Sequence, residues 1–234
     1  MAYNRLILSF KTATLLLVFL VFSACATVQK PLIGIVPGRE VETLQSSITI
    51  SVKAGEQSTG GRGFLIFKGP DRFHMVVLSP FGLTVLEVFS EDDRLTCLIP
   101  SRQTAYSGLF SELPEASALK SLAMLKWVVA PPPGTGPSYG SRETAEASAA
   151  RFSLDDQGRV ARKVSEQGDQ VEYQDYQNIN GVAFPESIVI ESRFGATVRI
   201  VFNEPQINLP VDDSTLAADM EGIRVLPLSE FKGF

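Results

Sequence analysis

Few side chains in this chain have enough chemistry to catalyse anything. Its 234 residues include two cysteines, Cys25 and Cys97, and a single histidine, His74. A serine nucleophile needs a base at hydrogen-bond reach, and zinc needs several nitrogen or sulfur ligands converging on one point. One histidine and one spare thiol supply neither. Carboxylates run together at Glu91-Asp92-Asp93, Asp155-Asp156 and Asp212-Asp213. All three runs sit in turn-like polar settings, where acidic side chains serve the turn and face water. Gly60-Gly61-Arg62-Gly63 precedes a strand instead of linking a strand to a helix, so it lacks the context of a phosphate cradle. Cys97 alternates with Leu95 and Ile99 and reads as a small core residue. The expectation is a non-enzyme, with no catalytic residue, no cofactor and no metal.

Cys25 has a different setting. Arg5 and Lys11 form a positive n-region, Leu15 to Phe22 an unbroken apolar run, and Ser23-Ala24 the small residues before a cleavage point. This is the pattern of an export signal. Thr12 to Ala24 spans 13 residues, short of the ~20 that cross a bilayer core. The segment Phe22-Ser23-Ala24-Cys25 resembles a bacterial lipobox, with Phe where Leu is usual. The resemblance implies cleavage between Ala24 and Cys25 and lipidation of the new terminal cysteine; the alternative is an ordinary secretory signal followed by a coincidental thiol. Several acyl chains bind a membrane almost irreversibly, at roughly 0.8 kcal/mol per buried methylene. By the sorting habit of the bacterial lipoproteins that the segment resembles, Ala26, a residue other than Asp after the cysteine, implies the outer membrane.

Removing residues 1–24 leaves 210 residues and takes away two cations and no acid, so the formal charge moves from −5 to −7. That length suits one domain with a sizeable core. The acidic balance, with no basic stripe along the sequence, argues against nucleic acid. Membrane contact is expected through apolar groups and the lipid, not through a polybasic run. Acylation of Cys25 leaves Cys97 without a disulfide partner.

The elements that must position any site are mostly strands. Residues 25–46 read as the lipidated terminus and a tether, with a short helical turn possible at Glu40 to Gln45. Ile48, Ile50 and Val52 alternate with Thr49, Ser51 and Lys53, a half-buried strand. Phe64 to Phe67 and Phe73 to Leu78 are apolar on both faces. Further strands are expected at Thr84 to Phe89, Leu95 to Ile99, Gln103 to Tyr106, Ala150 to Leu154, Arg159 to Val164, Gln170 to Tyr176, Ser187 to Glu191 and Thr197 to Phe202. The last two are joined by Ser192-Arg193-Phe194-Gly195. Turn signals about every ten residues argue for antiparallel meanders.

One helix, about 115–130, interrupts the meander between Pro114-Glu115 and Pro131-Pro132-Pro133-Gly134. Leu119, Leu122, Leu125 and Val129 share one face, while Met124, Trp127 and Val128 lie opposite. It is either a core helix with a patchy outer side or a helix plugging a sheet opening. A mobile loop is expected at Pro131 to Gly140, and a short second helix at 141–149. Residues 205–234, broken by prolines, read as an extension lying against the outside of the sheet.

Several of these motifs occur in an order that resembles one family. Gly63-Phe64-Leu65-Ile66-Phe67 leads to Asp71-Arg72-Phe73-His74-Met75-Val76-Val77-Leu78, then Ser79-Pro80-Phe81-Gly82 and Leu86-Glu87-Val88. Leu125-Lys126-Trp127-Val128, Phe152-Ser153-Leu154-Asp155-Asp156 and the pair around Ile188 to Phe202 follow. Together they resemble the outer-membrane lipoprotein receptor LolB and the related LolA-type carriers. The resemblance implies a mainly β fold, a half-open antiparallel barrel at 47–204 with a helical lid over an apolar hollow. It also implies the task of taking acylated cargo from a periplasmic carrier and inserting it in the outer membrane; the protein is expected to be a monomer, lipid-anchored and periplasm-facing. The family exposes an apolar residue on the loop after the Asp-Arg strand; here that residue is Phe81, with Leu83 beside it. Inward residues from alternation are Ile48, Ile50, Val52, Val198, Ile200 and Phe202, facing Leu122 and Leu125 of the lid. A dry hollow and a filled barrel core demand the same composition. Two alternatives therefore stand: a lipoprotein of this fold binding another hydrophobic ligand, and a structural or assembly lipoprotein with a protein partner.

Overall fold

The computed structural model describes residues 32–113, 119–120, 125 and 151–231. Cys25, Ala24, Leu122, most of the lid segment and the loop and second helix expected at 131–149 lie outside these residues. Twelve strands form one sheet: β1 (Thr43–Ala54), β2 (Gln57–Lys68), β3 (Arg72–Leu78), β4 (Thr84–Glu91), β5 (Arg94–Ile99), β6 (Thr104–Leu109), β7 (Arg151–Leu154), β8 (Val160–Val164), β9 (Gln170–Ile179), β10 (Val182–Glu191), β11 (Ala196–Ile207) and β12 (Arg224–Pro227). Their order is β12-β6-β5-β4-β3-β2-β1-β11-β10-β9-β8-β7. All neighbours are antiparallel except β12 and β6, which run parallel.

The meander is therefore as the turn spacing predicts, but the barrel does not close. β7 and β12 end the sheet and do not pair with each other. Closure needs a strand at each edge able to hydrogen-bond the other. Here one edge is the four-residue β7 and the other is β12, a strand the proline-broken tail gives no sign of. Of the segment expected to form the lid helix, only Leu119, Lys120 and Leu125 are among the described residues, and they are helical.

Alternation along the strands sorts the residues into two faces. The inner face forms one apolar cluster that includes Leu44, Leu65, Phe73, Met75, Val88, Cys97, Phe184, Ile188 and Ile190. Leu113, Leu119 and Leu125 join it, as do Leu228 and Phe231 from the tail. Burial of Cys97 pushes its thiol up to about 12, so it packs as a small apolar residue and stays a thiol. At position 63 a Cβ would collide with the carbonyl oxygen of Val76. The absence of a side chain at Gly63 thus lets β3 approach β2 closely.

The tail does lie on the outside, but only in part. Asp213 pairs with Lys68 and Arg72 at 2.8 and 3.0 Å, and Thr215 O accepts from His74 Nδ1 at 2.8 Å. Beyond Ile223 the chain turns the edge as β12, and Leu228 and Phe231 then enter the inner cluster. Phe231 meets Tyr106 edge-on, with ring centroids 5.3 Å apart.

Candidate functional site: an apolar inner face and an exposed aromatic turn

Register brings the inward residues together as direct partners. Ile48 faces Phe202, Ile50 faces Ile200 and Val52 faces Val198 across β1 and β11. Five of the six are buried in the cluster, and Val52 is half-buried against it. Leu125 belongs to the same cluster. The inner face is thus a continuous apolar surface, joined by Leu119 and Leu125, as six alternating β-branched and aromatic residues dictate.

This surface carries a charge toward one edge. Lys163 on β8 is 2% exposed and pairs across to Phe152 and Val171. Its Nζ lies 5.8 Å from the Phe152 ring centre and 5.4 Å from that of Tyr173, distances at which an aromatic face attracts a cation. Burial pushes its pKa down to about 8. Burial, then the neighbouring Tyr176, raises the Tyr173 phenol, so it stays neutral. Sequence reasoning placed the β8 strand but assigned it no inward side. The signal was the step from Arg162 to Lys163, two cations on opposite faces of which only one can reach water.

Phe81 stands at the other extreme, 91% exposed, with Leu83 at 69%. The turn that holds it is closed: Gly82 N donates to Ser79 O at 2.9 Å and Ser79 N to Leu83 O at 2.8 Å. Leu83 N also donates to Ser79 Oγ at 3.1 Å. Pro80 sets φ at the first corner, and Gly82 takes φ +80°, open to glycine at no steric cost. Phe81 at the second corner points into solvent; it does not fold back on the core.

A second turn repeats the design, and sequence reasoning named it only as the link between two strands. In Ser192-Arg193-Phe194-Gly195, Gly195 N donates to Ser192 O and Ser192 N to Ala196 O, both at 2.8 Å. Gly195 has φ +83°. Phe194 occupies the position of Phe81 and is 50% exposed. The legible signal was the shared pattern Ser-x-Phe-Gly.

His74 belongs to neither feature. It stacks on Phe89 with centroids 4.0 Å apart and meets Glu87 Oε2 at 3.0 Å, on the outer face under the tail. Among the described residues no group of three or more His, Cys, Asp or Glu is placed to hold a metal. No described helix is long and apolar enough to cross a membrane.

Solved structures similar to this chain include a LolA superfamily protein from Nitrosomonas europaea, with 12% identity, TM-score 0.47, and 79% of this chain and 93% of the other covered. A DUF1329 family protein from Desulfovibrio piger gives 12% identity and TM-score 0.49 over 76% of this chain and 90% of the other. At these TM-scores neither likeness bears on function. Among curated proteins none matches. A family model described as outer membrane lipoprotein LolB matches residues 42–204, a span that holds β1 to β10, most of β11 and the Phe81 turn. The chain belongs to the LolB family.

Proposed function

We propose that this protein, held to the outer membrane by lipid on Cys25 and facing the periplasm, accepts acylated lipoproteins from a periplasmic carrier and inserts them in that membrane. The observation that carries the reading is Phe81, a ring held in water at 91% exposure by a closed turn, in a member of the LolB family. Leaving a Phe exposed forgoes about 1.5–3 kcal/mol of burial. That loss makes sense where the ring has an apolar target.

The energetics of cargo set the order of events. An acyl chain of about 16 carbons is unfavourable in water by roughly 12 kcal/mol, so it must pass from one apolar surface to another. The inner face around Ile50, Val198 and Ile200 supplies the receiving surface. These residues are buried with Leu119 and Leu125, so an incoming chain must displace those two leucines. Phe81 and Leu83 then act as the wedge through which the chain leaves for the bilayer.

Full burial of the inner face also favours a second reading, a filled core. In that case the protein is a structural or assembly lipoprotein with a protein partner. Binding of a fluorescent fatty acid, with mass spectrometry of solvent extracts, separates the readings.

The test is hand-over itself. Carrier loaded with a triacylated lipoprotein is mixed with the full protein in vesicles, and the lipoprotein's location is followed. Phe81→Glu is expected to keep the fold and to cut insertion at least roughly tenfold, since a carboxylate resists entering lipid. Normal insertion by that variant sinks the wedge.

A further inference from the structure

Sheet register assembles what the linear sequence lacks, a cationic strip. On the outer face, Ser47 stands between Asn203 and Phe64, Thr49 between Val201 and Arg62, Ser51 between Arg199 and Gly60, and Lys53 between Thr197 and Ser58. Along these four rows the only charges are Arg62, Arg199 and Lys53, in a chain whose acids outnumber its bases 26 to 21. Acidic neighbours begin only at the margins, with Glu56 in the hairpin beyond Lys53 and Glu191 opposite Thr197. Phe64 projects from this face, 49% exposed.

The two Ser-x-Phe-Gly turns flank the strip. One follows β3 and the other precedes β11, at the same end of the sheet and about four strand spacings, roughly 20 Å, apart. Arg193 lies 4.7 Å over the Phe194 ring, an aromatic and a cation side by side, as suits the boundary between acyl chains and headgroups.

We propose that the outer face of β11, β1 and β2 rests on a bilayer surface, with Phe194 as a second aromatic contact beside Phe81 and with Arg62, Arg199 and Lys53 over the lipid phosphates. Chain reach agrees, on the reading that Cys25 is lipidated and Phe81 meets the same membrane. Asn178 Nδ2 donates to Ile33 O at 2.6 Å and Val36 N to Gly181 O at 2.8 Å. The chain is thereby fixed at the β9–β10 turn, the end of the sheet opposite Phe81. From Cys25 to Leu32 an extended chain covers at most about 25 Å, whereas β1 alone is about 40 Å long. Both ends reach one membrane when the strands lie along it, and this is the face whose charges suit phosphate.

The experiment uses the membrane-bound protein reconstituted in phosphatidylcholine vesicles with and without phosphatidylglycerol. A nitroxide on Thr49→Cys, at the centre of the strip, is read against water-borne and bilayer-borne relaxation agents; a label on Asp219→Cys is the control. Protection from the aqueous agent at 49, stronger with phosphatidylglycerol and absent at 219, is expected. Arg62→Glu with Arg199→Glu should lower the protected population by roughly 30-fold or more, and Phe194→Glu should lower it without altering the circular dichroism. Should either charge variant lose its fold, Phe64→Ser with Arg62→Gln makes the same test more gently. Equal aqueous access at 49 and 219, or no response to Phe194→Glu, overturns the proposal. So does protection already present in detergent, which assigns the face to a second copy or another protein. Protection at 49 in a protein that fails at hand-over leaves this surface standing and removes the receptor reading.

Discussion

The outer face of the sheet differs between its two halves. On β11, β1 and β2 the outward residues Ser47, Thr49, Ser51, Arg62 and Arg199 are exposed, and Ile66, Thr197 and Val201 are half-buried. On β4, β5 and β6 the outward residues Phe89, Leu98 and Ala105 are buried at 8%, 8% and 0%. The inner face is apolar behind both halves. A strand with one apolar face is content against one layer, whereas a strand apolar on both faces needs cover on both. That second cover comes from the chain's own tail. Between Thr215, bonded to His74 on β3, and Arg224, paired to Thr104 on β6, the tail must cross β4 and β5 on the outside. The match to the LolB family ends at residue 204, so the cover lies beyond the matched segment. The open half, which asks for no cover, is the half proposed to lie on lipid.

The largest effect that breaks this comparison separates two neighbours on β1. Ile48→Asp places a carboxylate on the inner face, at a site 1% exposed, and is expected to remove more than about 4 kcal/mol of stability, enough to unfold the domain. Thr49→Asp, one residue on and outward, should stay within about 0.5 kcal/mol. Urea unfolding of the two variants decides it; similar losses would mean that the faces are not distinct. A somewhat smaller effect sharpens the role of the tail. Leu228 is fully buried, and its Cβ approaches Gly108 on the inner side of β6. Leu228→Ala should cost about 2–5 kcal/mol, against almost nothing for Leu154→Ala, whose side chain is 59% exposed. If Leu228→Ala is neutral, the tail is an ornament and not part of the core.

Much of this division was legible in the chain. Alternation at Ile48, Ile50 and Val52 gave both the strand and its inward side, because a period of two leaves one choice of face. The run apolar on both faces at Phe73 to Leu78 marked a strand needing double cover without saying what supplies it, whereas Phe64 to Phe67, which reads the same way, stays uncovered on its outer side, with Phe64 49% exposed. β12 was not legible. Val225 and Leu226 pair in parallel to Ala105 and Tyr106, a partnership set by tertiary geometry and not by any local period, with Pro227 inside the strand. The exposure of Phe81 was open on composition alone, since an isolated Phe is more often buried; the order of motifs around it pointed outward. The cationic strip was illegible for a simpler reason. Lys53, Arg62 and Arg199 are far apart along the chain, and only antiparallel register makes them neighbours.

The smallest effect concerns the one charge found on the inner face among the described residues. Lys163 is driven to a pKa of about 8 by burial, from an ordinary 10.5. Between those values the unfolded chain binds more protons than the folded one, so stability rises with pH from about 8 to 10.5 and is flat on this account above it. Below about pH 8 both states carry the proton, and the folded state bears the whole penalty of a buried charge, about 3 kcal/mol at most, with the Phe152 and Tyr173 rings offsetting part of it. Lys163→Met should therefore be the more stable protein at pH 7 and lose that advantage by about pH 10.5, where Tyr173 is still neutral. Denaturant midpoints of both proteins across that range supply the check. An advantage that does not change with pH would mean that Met gains by packing, and that the ammonium at β8 is already compensated as well as the apolar residues around it.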